Sequence, residues 1–183
     1  MMVKICGITR REDAVAAIEA GASALGFIFY PKSPRYVTPS TAAALGHGLD
    51  AWKVGVFVDE APAAIEAIMR SAKLDIAQVY GSGIPENTRV WRAFRPVDGV
   101  RTDGAEAILL DGPANGISFD WTSARDPGHK IIVAGGLDAS NVGEAIRTAR
   151  PWGVDASSKL ESTPGIKDHK KMRAFIKAAQ EAK

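Results

Sequence analysis

A chain of 183 residues, 46% hydrophobic and 24% charged, has the make-up of one folded domain with a substantial core, which excludes a disordered segment. Its formal net charge of +2 is dispersed, with no block of like charge and no basic, aromatic-rich run to follow a phosphate backbone, so a nucleic-acid partner is not expected. No apolar stretch reaches the roughly 20 residues of a membrane span, the N-terminus enters a strand pattern without a signal-peptide core, and the single cysteine cannot close an internal disulfide; the expectation is a cytoplasmic, reducing setting with no membrane contact.

In chain order, eight apolar runs read as strands: Val3 to Cys6, Ala24 to Phe29, Trp52 to Val58, Ile76 to Val79, Val90 to Phe94, Ala107 to Leu110, Ile131 to Ala134 and Gly153 to Ala156. They are nearly continuous in hydrophobicity rather than alternating, as strands buried on both faces are. Helical stripes intervene. Thr38 before Pro39 reads as an N-cap with proline in the first turn, and Gly46 or Gly48 would end that helix. Ile65, Ile68, Met69 and Ala72 keep the i, i+3, i+4, i+7 spacing, as do Val142, Ala145, Ile146 and Ala149, and Met172, Phe175, Ile176 and Ala179. Strand and helix in alternation predict an α/β fold, a single-domain (β/α)8 TIM barrel over residues 1–183, with an open doubly wound sheet as the alternative. Such barrels typically run to about 250 residues, so this one must be reduced. Seven residues separate Gly81 from Arg89 and ten separate Arg95 from Glu106, so the helices after strands 4 and 5 are expected to be shortened or missing.

Barrels of this kind carry their chemistry where the strands end. Cys6 closes the first strand, as either a buried filler or a working thiol. Arg35 lies in the proline-stiffened "FYPKSPRYV" after the second, where a guanidinium can grip a carboxylate in two-pronged fashion or merely be solvated. Asp120 in "GISFDW" follows the sixth strand beside Trp121 and is either a general acid or a helix cap. Gly135 and Gly136 of "IIVAGGLDASNV", and Ser157 and Ser158 of "GVDASSKLES", end the seventh and eighth strands, the usual phosphate position of the fold; each segment alone also reads as a turn or cap. His47, His129 and His169 are scattered without metal-ligand spacing, and the common nucleotide and zinc motifs are absent.

The blocks "KICGIT", "DAVAAIEAGASALGFIFYPKSPRYV", "VGVFVDE", "SFDW", "AGGLDASNV", "GVDASS" and "PGIKD" come in one order and cover most of the chain. Taken together they strongly resemble the phosphoribosylanthranilate isomerase family. The resemblance implies a (β/α)8 barrel that needs no cofactor or metal, takes a small phosphosugar, and performs the Amadori rearrangement of N-(5′-phosphoribosyl)anthranilate in tryptophan biosynthesis. It implies Cys6 as catalytic base and Asp120 as catalytic acid, Arg35 on the anthranilate carboxylate, Asp155 along the sugar, and Gly135, Gly136, Ser157 and Ser158 around the phosphate. Tyr80 of "QVYG" stands where the family commonly has histidine and can still offer a hydroxyl to the substrate. The loop before Asp120 is shorter than the family's, and Lys159 replaces a glycine after the serine pair. The alternatives are a non-catalytic phospholigand-binding barrel that lost turnover through loop shortening, and a related aldose–ketose isomerase of histidine biosynthesis, whose aspartate pair does not match the Cys6 thiol. Oligomeric state is left open between monomer and homodimer.

Overall fold

The computed structural model describes residues 1–95, 102, 104–112 and 128–182 of the chain. All eight apolar runs become strands: β1 (Met2–Ile5), β2 (Ala24–Ile28), β3 (Trp52–Val58), β4 (Ile76–Tyr80), β5 (Val90–Phe94), β6 (Ala107–Asp111), β7 (Ile131–Ala134) and β8 (Gly153–Ala156). They pair in parallel in sequence order, and β8 returns to β1 with Lys4 opposite Asp155, so the sheet is closed and the doubly wound alternative is ruled out.

Pleating sends successive side chains to opposite faces and divides the core in two. Val3, Ile5, Leu25, Phe27, Val133 and Val154 face outward and join an apolar shell with helix residues such as Ile65, Ile146 and Phe175. Ala24, Val54, Ile76, Trp91, Leu109 and Ile132 pack inside the barrel. Because both faces are buried, the strands read as largely apolar runs with few polar interruptions.

Among the described residues five helices cover the outside: α1 (Arg11–Glu19), α2 (Pro39–Gly46), α3 (Pro62–Ala72), α4 (Val142–Ala149) and α5 (His169–Glu181). The Thr38 hydroxyl accepts from the Thr41 N–H at 3.2 Å at the start of α2, and the helix stops at Gly46, as its capping signals predict. The stripes foreseen for α4 and α5 are fully buried, and in α3 Ile65, Met69 and Ala72 are buried while Ile68 packs at the margin. Residues 81–89 run from β4 to β5 without a helix, as the spacing requires, and Ile84 packs there against the outer shell. The matching segment after β5 lies largely outside the described residues. Two elements escaped the sequence reading. Helix α1 packs through Ala14 and Ala17, whose small side chains leave a faint periodic signal. A short antiparallel hairpin, β9 (Glu161–Thr163) and β10 (Ile166–Lys167), turns at Pro164 and Gly165, and the φ of +86° at Gly165 suits the second centre of such a turn.

At the N-terminal end of the barrel, Trp52, Trp91 and Trp152 close the interior, with ring centroids 5.8 to 6.1 Å apart. The Arg89 guanidinium lies over Trp52 and the Lys130 ammonium over Trp152, each 5.1 Å from the ring centre, and Glu106 pairs with both cations. Among the described residues no helix is long and apolar enough to cross a membrane.

Candidate active site

At the opposite end, where the strands finish, the barrel opens into a cavity of about 370 Å³ whose lining includes Cys6, Arg35, Tyr80, Asp111, Asp155 and Ser157. Six of the residues singled out in the sequence, Cys6, Arg35, Tyr80, Asp155, Ser157 and Ser158, meet there, together with Gly135 and Gly136. Asp120 lies outside the described residues.

Cys6 follows β1 directly, and its N–H donates to the Ala156 carbonyl at 2.9 Å, which fixes it at the seam between first and last strands. Two residues earlier on the same pleat, Lys4 is wholly buried and its Nζ donates to Asp155 Oδ2 at 2.9 Å. Gly26 on the neighbouring strand makes the space: a Cβ there would stand 2.8 Å from the Cys6 sulfur and 3.0 Å from Lys4 Nζ. Burial opposes the Lys4 charge, but Asp155 and Cys6 more than offset it and hold the ammonium above the ordinary lysine range. Burial pushes the Cys6 thiol up, and the opposing pull of Lys4 does not reverse the shift. A cation is thus in place beside the sulfur, yet burial favours its neutral form.

The floor also holds acceptors without donors. Asp155 Oδ1 and Gln78 Oε1 are buried with no hydrogen-bond partner among the described residues. An orphaned buried acceptor costs about 1–3 kcal/mol, so both favour a ligand that brings hydroxyl or amide hydrogens. Tyr80 donates its hydroxyl hydrogen to Asp111 Oδ2 at 3.1 Å, with Gln78 Nε2 3.4 Å from the same oxygen. The proton that the sequence reading reserved for a ligand therefore already has an acceptor. Burial, reinforced by Asp111, carries the Tyr80 hydroxyl well above its usual range, and burial raises the Asp111 carboxyl.

Arg35 is neither solvated nor free. Its Nε and Nη2 each donate at 2.7 Å to the two carboxylate oxygens of Glu161, and Lys167 Nζ donates to Glu161 Oε1 at 2.9 Å. Burial works against the Glu161 carboxylate, yet Arg35 and Lys167 hold it below the ordinary glutamate range. Ser157 turns its hydroxyl inward, donating to the Cys6 carbonyl at 3.0 Å, so backbone rather than hydroxyl is what this residue can present to a ligand. Gly135 and Gly136 have φ of +91° and +64°, and a Cβ on Gly135 would collide with the backbone of Gly112 at 2.4 Å. No side chain fits there, which leaves main-chain N–H groups along this wall.

Sequence reasoning missed Lys4, Gln78, Asp111, Glu161 and Lys167. A signal existed for two of them, since Lys4 and Gln78 interrupt apolar strand runs where polar side chains are rarely buried without purpose. Among the described residues, no three His, Cys, Asp or Glu side chains converge to hold a metal ion.

Fold and cavity together define a (β/α)8 barrel whose small-molecule site lies at the carboxyl ends of its strands, with a glycine- and serine-bearing wall after β7 and β8. The family model described as N-(5′-phosphoribosyl)anthranilate (PRA) isomerase matches residues 3–178, and the chain belongs to that family. It is 52% identical over 197 aligned positions to the N-(5′-phosphoribosyl)anthranilate isomerase of Solibacter usitatus, covering 100% of this chain and 98% of that protein. The phosphoribosyl anthranilate isomerase of Thermus thermophilus superposes with a TM-score of 0.90 at 36% identity, covering 100% of both chains. A phosphoribosyl anthranilate isomerase in complex with reduced 1-(o-carboxyphenylamino)-1-deoxyribulose 5-phosphate superposes with a TM-score of 0.85 at 37% identity, covering 98% of both.

Proposed function

We propose that this chain, acting as one (β/α)8 domain without a cofactor, catalyses the reaction of its family: rearrangement of N-(5′-phosphoribosyl)anthranilate to 1-(2-carboxyphenylamino)-1-deoxyribulose 5-phosphate. The observation that carries the reading is a meeting in one cavity. The chain's sole thiol, a half-buried arginine, an aspartate with an unmet acceptor and the glycine and serine loops come from positions as distant as 6 and 157.

In this reading Asp120 gives a proton to the furanose oxygen, the C1–O bond breaks, and a cationic Schiff base forms. Cys6, as thiolate, then removes the C2 proton, and the electrons left behind make the enolamine, which tautomerises to the aminoketone. The free thiol is held neutral by burial. The iminium charge formed beside it, added to Lys4, favours loss of the thiol proton to water, so that the sulfur is a thiolate at the step that needs it. Arg35 holds the anthranilate carboxylate. Asp155 Oδ1 and Gln78 Oε1 accept from sugar hydroxyls, and Tyr80 walls the sugar while its hydroxyl donates to Asp111. Main-chain N–H groups at Gly135, Gly136, Ser157 and Ser158 hold the phosphate, with Lys159 at the cavity rim.

Loss of the substrate's fluorescence with purified protein measures the rearrangement. Full activity in both Cys6→Ala and Asp120→Asn overturns the assignment of acid and base. Binding of a reduced product analogue with no turnover replaces it with the ligand-binding barrel.

A further inference from the structure

The β9–β10 hairpin has no role in the chemistry above, yet both its strands send a charged side chain beneath the cavity wall. Glu161 and Lys167 lie opposite each other in the hairpin register, with side chains 4% and 0% exposed. Strands of three and two residues do not hold themselves together. This pair is anchored from outside, by the Lys167 N–H donating to Asp13 Oδ2 at 3.1 Å and the Asp168 N–H donating to the Leu160 carbonyl at 2.8 Å. A buried ion pair is weak evidence for stability in itself, so its geometry is the informative part.

We propose that Glu161 and Lys167 are positioning residues: Glu161 clamps one edge of the Arg35 guanidinium so that the other edge meets the ligand's carboxylate, and Lys167 ties this clamp to the Ser157 loop.

Three observations carry the proposal. Glu161 engages Nε and Nη2 in a two-pronged pair at 2.7 Å for each bond, which accounts for two of the five guanidinium hydrogens and leaves the Nη1–Nη2 edge. The Arg35 stem is fixed against the backbone beside the thiol, because Gly7 has no side chain: a Cβ there would stand 2.5 Å from Arg35 Cδ and 3.0 Å from Ser157 Oγ. Lys167 Nζ reaches Glu161 Oε1 at 2.9 Å, the Ser157 carbonyl at 3.3 Å and the Ser157 hydroxyl at 3.4 Å, so one ammonium bridges the carboxylate-binding and phosphate-binding ends. Charge completes the logic. Arg35 and Glu161 alone would be neutral, and the buried Lys167 returns the group to one net positive charge, which an anionic ligand then meets.

The inference rests on Arg35 as the carboxylate site, and the experiment separates the two. Two probes are titrated: the reduced product analogue with its ring carboxylate, and the same analogue with that group replaced by hydrogen. Wild type is expected to prefer the first, and Arg35→Ala to lose the preference. Glu161→Gln is expected to cut the preference by about tenfold or more while binding the carboxylate-free probe as wild type does. Lys167→Met should act in the same direction. Glu161→Asp, which keeps the charge, should recover part of the preference and provides the measurement if Glu161→Gln does not fold. Equal weakening of both probes in the Glu161 variants, or an unchanged preference, overturns the proposal. A preference that survives Arg35→Ala removes the Arg35 reading itself, whatever Glu161 does.

Discussion

The same eight strands carry a wall of tryptophans at one end and a polar cavity at the other. At the N-terminal end the fully buried Trp91 packs against Trp52 and Trp152, capped by Arg89, Lys130 and Glu106. Near the C-terminal ends the inward positions are Lys4, Cys6, Gln78, Tyr80, Asp111 and Asp155, with two acceptors unsatisfied and room for a ligand. The difference shows how a short barrel affords a costly site: aromatic burial is concentrated at one end, and the two unmet acceptors lie with the cluster of buried ionisable groups at the other.

That division of labour can be broken from either end. The largest effect is expected from Cys6→Ala, which should lower kcat/KM by about 10²–10⁴-fold in the fluorescence assay while the melting temperature stays near wild type. Trp91→Ala should do the reverse, costing about 3–5 kcal/mol in urea unfolding while product-analogue affinity survives under folding conditions. If Trp91→Ala abolishes analogue binding in protein that is still folded, the two ends are coupled and the comparison fails.

A pH titration sharpens the contrast. Because burial raises the Cys6 thiol, the neutral sulfur favours the folded state. That contribution is complete below the ordinary thiol range and is lost as pH rises through the folded value. Thiolate absorbance near 240 nm, taken as the difference from Cys6→Ala so that tyrosinate absorption cancels, should therefore appear only above that range in wild type and move higher still in Lys4→Met, which removes the neighbouring cation. The smallest effect belongs to the exposed ion pairs of the N-terminal rim. Glu106→Gln should change stability by less than about 1 kcal/mol and leave the rate untouched, read by the same unfolding and fluorescence measurements.

Much of this architecture was legible from residue patterns. The runs at Trp52–Val58, Val90–Phe94, Ile131–Ala134 and Gly153–Ala156 match the strands residue for residue, because parallel strands buried on both faces are mostly apolar and the charged residues they hold, Lys53, Arg92 and Asp155, lie within the runs and not at their ends. Helix α1 was hidden because its buried face is mainly alanine, and the hairpin because two- and three-residue strands carry no period. For the site, position at strand ends pointed to Cys6, Arg35 and the two loops, and the family resemblance added Asp155; all of these line the cavity. It could not find the clamp on Arg35, since Glu161 sits 126 residues away and local spacing is silent about such partners. Nor could it anticipate that the Ser157 and Tyr80 hydroxyls point to protein acceptors, which depends on how the closed barrel brings strands together.

The seam between β1 and β8 also bears on how the protein is made. Lys4 leaves the ribosome ahead of the carboxylate that neutralises it by 151 positions, roughly 8–30 s at ordinary translation speeds. Throughout that interval the first strand has β2 on one edge, but the edge that β8 will cover stays open and Lys4 lacks its counter-charge. A nascent chain halted before Asp155 therefore exposes an edge no later helix can cover, a natural target for chaperone capture.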